Sequence, residues 1–235
     1  MILRFQDEGL GILIRGNMIH SRLLNVLSIL LILLSANTVA FPQSGNDSST
    51  ISNNREDMQN IRILIAYQSK YGSTKQYAEW IQKECHGDLV NIENGDEPNF
   101  AGYDIVIIGS SVRIGNIVIA PFIEDHWGVM KGKRVILFTT SATPPRHPKI
   151  QSIYEKSLPE EIRKEIKYFP LHGRISRANL TCWDKFLIAI GKIMEQDETL
   201  KKDMGKDFDG VQRDNLLPLF EYLKEVKTTL SSKKE

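Results

Sequence analysis

Three short runs decide what this chain can fold into. Ile61–Tyr67, Asp104–Gly109 and Arg134–Thr140 each hold an unbroken apolar core: Ile63–Ala66, Ile105–Ile108 and Val135–Phe138. Runs of this length, rich in isoleucine and bounded by turn formers, read as strands buried on both faces. Strands of that kind are covered on both sides, so an open parallel sheet between helices is expected. The segments between them agree. Tyr77, Trp80, Ile81 and Cys85 recur at three- and four-residue steps, and Phe122, Ile123 and Trp127 suggest a second helix with Pro121 in its first turn. Leu89–Ile92 and Tyr168–Gly173 read as further strands, with a helix between Pro148 and Lys167. Leu216, Leu219, Phe220, Leu223, Val226 and Leu230 form the stripe of a last helix. The expected domain, residues 61–230, is a three-layer α/β/α sandwich on a five-stranded parallel sheet. A long insertion, about Arg174 to Arg213, precedes its last helix.

The loop after the first strand, Gln68-Ser69-Lys70-Tyr71-Gly72-Ser73-Thr74, places three hydroxyls and one glycine where a helix opens. Unpaired N–H groups at a helix N-terminus and nearby hydroxyls make a phosphate cradle. No GxxxxGK[ST] is present, and Lys75 follows Thr74 instead of preceding a hydroxyl, so a nucleoside-triphosphate loop is excluded. One glycine where three are needed excludes a dinucleotide fingerprint. No acidic cluster follows Tyr67 or Gly109, as a response regulator would need. What remains is a single phosphate held by hydroxyls and amides without metal or lysine, as flavin mononucleotide (FMN) would need. In the expected topology the loops after Tyr67, Gly109 and Thr140 converge at the strands' carboxyl ends.

These residues carry a resemblance. Ser69-Lys70-Tyr71-Gly72-Ser73-Thr74 resembles the phosphate loop of flavodoxins. Tyr103-Asp104-Ile105-Val106-Ile107-Ile108-Gly109-Ser110-Ser111-Val112-Arg113-Ile114-Gly115 resembles a stretch of the flavodoxin-like, menaquinone-dependent protoporphyrinogen oxidases, as does Trp183-Asp184-Lys185-Phe186 within the insertion. The resemblance spans about Ile61 to Leu230. It implies a flavodoxin-like fold and an FMN-dependent oxidoreductase that takes a tetrapyrrole substrate and passes electrons to a quinone. It also implies that Ser69, Lys70, Tyr71, Gly72, Ser73 and Thr74 hold the phosphate. Ser110, Ser111, Val112, Arg113, Ile114 and Gly115, with Thr140, Ser141, Ala142 and Thr143, would flank the isoalloxazine. Arg113 is the candidate for a catalytic role, beside the flavin edge or on a substrate carboxylate; a surface ion pair is its plainer reading. Ile114 stands where a stacking tyrosine or tryptophan is common, and Arg174 and Arg177 are the basic residues near the insertion's start.

The remaining segments bear on place and partners. Leu23–Leu34 is almost purely aliphatic, follows Arg15 and Arg22, and precedes Thr38-Val39-Ala40. Residues 1–40 are expected to be an extension carrying either a cleaved secretory leader or an uncleaved membrane anchor, with Met18 an alternative start. An exported or membrane-associated protein follows from either. Residues 41–60 read as a disordered linker and 231–235 as a tail. From Phe41 onward basic and acidic residues are equal in number, which gives no support for a nucleic-acid partner. Cys85 and Cys182 lack metal-ligand spacing and read as buried thiols, a disulfide staying open if the chain is exported. His126, His147 and His172 read as structural or exposed. In the insertion, Trp183, Phe186, Leu187, Ile190, Ile193 and Met194 form one apolar helix face, with Leu180 just before, turned to a membrane or quinone or packed on the core. Asp197–Asp209 reads as a solvated loop.

Two other functions fit the same residues: an electron-transfer flavodoxin with no organic substrate of its own, and a flavin-free binding domain of the same fold. Such carriers tend to be acidic and to lack the apolar insertion, whereas this domain is neutral and has it.

Overall fold

The computed structural model describes residues 61–95 and 97–233. The expected leader, anchor and linker, residues 1–60, lie outside them, as do the last two residues of the tail.

Five parallel strands form the sheet: β1 (Ile63–Tyr67), β2 (Asp88–Asn91), β3 (Ile105–Arg113), β5 (Arg134–Ser141) and β6 (Ile166–His172). Their order is β2-β1-β3-β5-β6, the flavodoxin-like order. A two-residue β4 (Asn116–Ile117) folds back antiparallel on β3, whose ladder runs beyond the expected end at Gly109.

Strand pleat explains the two cores. Ile63, Ile65, Ile105, Ile107, Ile136 and Phe138 face one layer, while Leu64, Val106, Ile108, Val135 and Leu137 face the other. The first layer is closed by Tyr77 and Ile81 of α1 (Ser73–Cys85) and by Leu219, Leu223 and Val226 of α7 (Leu217–Ser231). The second is closed by α2 (Ala120–Met130), α3 (Pro148–Ser157) and the short α4 (Glu160–Arg163), through Ile123, Met130, Ile153, Tyr154 and Ile162. Each fully buried isoleucine contributes about 2 kcal/mol, so these runs dominate the stability of the sheet.

The insertion has its own structure. β7 (Arg174–Ile175) pairs antiparallel with β8 (Phe208–Asp209), and between them lie α5 (Cys182–Met194) and α6 (Glu198–Asp203). The reading of Asp197–Asp209 as a loop is therefore corrected: Asp197 caps α6, its Oδ1 accepting from Thr199 N and Leu200 N. The apolar face of α5 does not reach either core. Trp183, Phe186, Ile190, Ile193 and Met194 are exposed. No helix among the described residues is long and apolar enough to cross a membrane. Both cysteines are free, and Cys182 is exposed rather than buried because it sits on the outer turn of α5.

Candidate functional site

The parallel register brings three strand ends level. Tyr67 lies beside Gly109, Ser111 beside Thr140 and Ser141 beside His172. The loops beyond them border a cavity of about 940 Å³, and the insertion forms its opposite wall. That volume is at the upper end of the range for small-molecule sites.

At the floor is the cradle. Gly72 adopts φ 85° and ψ −14°, left-handed backbone that turns the chain into α1. No side chain caps α1, so its first N–H groups are left for a ligand. Ser69 Oγ is buried and has no hydrogen-bond partner. An orphaned buried hydroxyl costs about 1–3 kcal/mol, which is unexpected beside a helix N-terminus unless an acceptor binds there. Thr74 Oγ1 lies 2.9 Å from Thr140 Oγ1, tying the cradle to the end of β5. Ser73 Oγ accepts from Arg174 N at 3.2 Å, tying it to the insertion. The donor set and the orphaned hydroxyl fit a phosphate ester.

All the expected site residues border the cavity except Gly72 and Ser110. Gly72 acts through backbone. Ser110 is fully buried in the sheet; its hydroxyl donates to Ser111 O and accepts from Ile119 N at 3.1 Å, so it serves the β3–α2 connection. Lys70 and Arg113 turn away from a free-cation role. Lys70 Nζ lies 2.7 Å from Asp184 Oδ2, and the Arg113 guanidinium pairs with Asp184 Oδ1. Tyr71 OH and Thr181 Oγ1 also donate to Asp184. Burial pushes the Asp184 carboxyl up, but the hydrogen bonds from Lys70, Tyr71, Thr181 and Arg113 together hold it well below the usual carboxylate range. The same bond raises Lys70.

In the sequence Asp184 stands out only as part of Trp183-Asp184-Lys185-Phe186. Its position three residues after Thr181, whose Oγ1 accepts from Asp184 N at 3.1 Å, reads locally as a helix cap and conceals the long-range pairing. His147 and His172 border the cavity as well. His147 Nε2 lies 3.1 Å from Asp197 Oδ2, while burial lowers the pKa of His172. Among the described residues no cluster of His, Cys, Asp and Glu could hold a metal ion.

A model of the flavodoxin domain family matches residues 64–202. The chain belongs to the flavodoxin domain family. A curated relative is protoporphyrinogen IX dehydrogenase [quinone] of Escherichia coli (strain K12). It is 23% identical over 150 residues, covering 59% of this chain and 83% of the relative. Among solved structures, a flavoprotein in complex with FMN from Lactobacillus acidophilus NCFM is 21% identical, with 48% of this chain and 92% of that one covered and a TM-score of 0.36. Oxidised Flavodoxin 2 from Bacillus cereus is 22% identical, with 56% and 99% covered and a TM-score of 0.33.

Proposed function

We propose that this flavodoxin-domain protein is an FMN-dependent oxidoreductase, one that oxidises a protoporphyrinogen-like tetrapyrrole and delivers the electrons to a quinone. The observation that carries the cofactor is the orphaned Ser69 hydroxyl at the uncapped N-terminus of α1. FMN is the cofactor, and when bound it supplies the two-electron redox chemistry. The chain's own residues hold and enclose it. Ser69, Ser73 and Thr74 with the α1 amides take the phosphate, and the loops of Ser111–Gly115 and Thr140–Thr143 border the space for the ring system.

Support for an organic substrate comes from the insertion. Leu187, Ile188, Met194, Leu200 and Met204 give the cavity an apolar wall facing the strand ends, which a one-electron carrier has no need of. Support for a quinone comes from the outer side of α5. There Trp183, Phe186, Ile190 and Ile193 are exposed, and Lys185 and Lys192 share the helix, the composition of an interfacial helix at a membrane. Membrane association belongs to the same proposal.

The test is spectroscopic first. The full-length protein, incubated with FMN and desalted, is expected to keep the yellow flavin absorbance. Under anaerobic conditions protoporphyrinogen IX should bleach that absorbance and a menaquinone analogue restore it. A protein that retains FMN but stays oxidised with this substrate would be a carrier, and one that takes up no FMN would remove both redox readings.

A further inference from the structure

Of residues 174–209, Asp184 alone is buried. No residue of this segment enters either core cluster. A 13-residue amphipathic helix normally attaches through its apolar stripe; α5 is attached through a carboxylate.

The attachment has a base and two further points of contact. At the base, the β7–β8 ribbon is closed by Arg174 Nε to Asp209 Oδ2 at 2.7 Å and by Gly210 N to Gly173 O at 3.0 Å. At the far end, Lys149 of α3 pairs with Glu195, and His147 meets Asp197. Between them Asp184 gathers Lys70 and Tyr71 from the cradle loop and Arg113 from the β3–β4 hairpin. Both ends of the segment are thus fixed close together, while its body adds nothing to either apolar core and meets the domain through ion pairs and hydrogen bonds.

We infer that residues 174–209 form a lid over the cavity, hinged at the β7–β8 ribbon, with Asp184 as the latch that holds it closed and positions Lys70 and Arg113. Closed by ion pairs instead of an apolar seal, such a segment opens at far lower cost than the sheet beneath it. Opening also removes the carboxylate that neutralises Lys70 and Arg113. Two cations then face the entrance while an anionic guest arrives, and they are covered again on closure. The lid takes its guest from the FMN reading but can be tested without it.

The experiment compares wild type with Asp184→Asn as flavin-free, full-length protein by hydrogen exchange. Exchange across 174–209 is expected to rise about tenfold or more, with β1, β3 and β5 unchanged. Salt at 0.5 M (roughly a 4 Å screening length) should raise exchange in the wild type and much less in the variant. Stopped-flow mixing with FMN supplies the second readout. A latch lies on the path in both directions, so association and dissociation should both quicken; a residue that only supports the wall would quicken dissociation alone. Equal exchange in the two proteins, or loss of protection spreading through the sheet, would overturn the lid. If Asp184→Asn does not fold, Lys70→Gln weakens the latch from the other side and must give a smaller rise in the same segment. An exchange response without any FMN binding would count for the lid and against the cofactor.

Discussion

Lys70 Nζ and Asp184 Oδ2 meet at 2.7 Å across 114 residues of chain. The lysine belongs to the cradle loop and the carboxylate to the insertion, so one ion pair couples the floor of the cavity to its opposite wall. The carboxylate side chain is 8% exposed and the lysine 34%, so the pair is half-buried: stronger than a surface bridge, yet still weakened by salt from the lysine side. Its dependence on acid follows from linkage. The folded-state pKa of Asp184 is depressed below the ordinary 3.8, so its contribution is complete above that value and is lost as pH falls through the folded one. The ratio of exchange rates across 174–209 between Asp184→Asn and wild type should therefore be constant from neutral pH to about pH 5. Below the ordinary value it should shrink toward one. A ratio that instead grows on acidification would show the carboxylate to be raised, not depressed.

Ser69 makes a prediction with opposite signs in two states. Its buried hydroxyl has no partner. Ser69→Ala should leave the flavin-free protein as stable or about 1 kcal/mol more so, by removing an unsatisfied group. The same change should weaken FMN binding about tenfold, because a hydrogen bond to an anion is lost. Denaturant melts and FMN titration read the two effects separately. A variant destabilised without FMN and unaltered in affinity would mean that the hydroxyl serves the fold.

Gly72 separates backbone from steric effects. A Cβ built there meets nothing within 4 Å, yet φ is +85°. Gly72→Ala should cost about 1–2 kcal/mol from the left-handed backbone alone. It should weaken FMN more than it weakens the fold, because relaxing φ swings the α1 amides off the phosphate. Isothermal titration of the folded variant checks this, and unchanged affinity would put the phosphate elsewhere.

The fold was legible because its evidence is local. Unbroken apolar runs such as Ile105–Ile108 admit few environments, and the three central strands β1, β3 and β5 follow from them. The cradle was legible for the same reason, since Ser69, Gly72 and Thr74 lie within one turn of chain. Asp184 was not, because its four donors come from residues 70, 71, 113 and 181. No spacing in the sequence announces a pairing made by topology. The face of α5 was legible only in part. Periodicity reports that Trp183, Phe186 and Ile190 share a side, but it does not say whether the domain covers that side. Ser110 shows the converse: adjacent to cavity-lining residues in sequence, it turns its hydroxyl to Ile119 N at the start of α2, because strand pleat alternates.

Ile114 stores strain at the rim. It has φ 51° in the two-residue turn between β3 and β4, with Gly115 at φ 66°. A primed hairpin turn needs positive φ at both positions, and a β-branched residue there is costly. The side chain is exposed, so little packing compensates. Ile114→Asn should raise stability by about 1 kcal/mol in a denaturant melt. A loss of stability would mean that Ile114 makes contacts that outweigh its backbone.

Tyr77 tests whether the base of the insertion is part of the domain while its body is not. The ring is fully buried in α1. Its hydroxyl donates to His172 O at 2.9 Å and accepts from Asn215 Nδ2 at 2.7 Å and from Gln212 N at 3.3 Å. One oxygen thus ties the residue before the β7–β8 ribbon to those after it. Close packing leaves no room to adjust, for a Cβ on Gly210 would collide with the His172 ring. Tyr77→Phe keeps the ring but takes this partner from the Gln212 amide and the His172 carbonyl, costing about 2–3 kcal/mol of global stability. Protection should then fall throughout the sheet as well as in 174–209, whereas Asp184→Asn should free the insertion alone. If both variants released only the insertion, the base would belong to the lid and the hinge would lie nearer to α1.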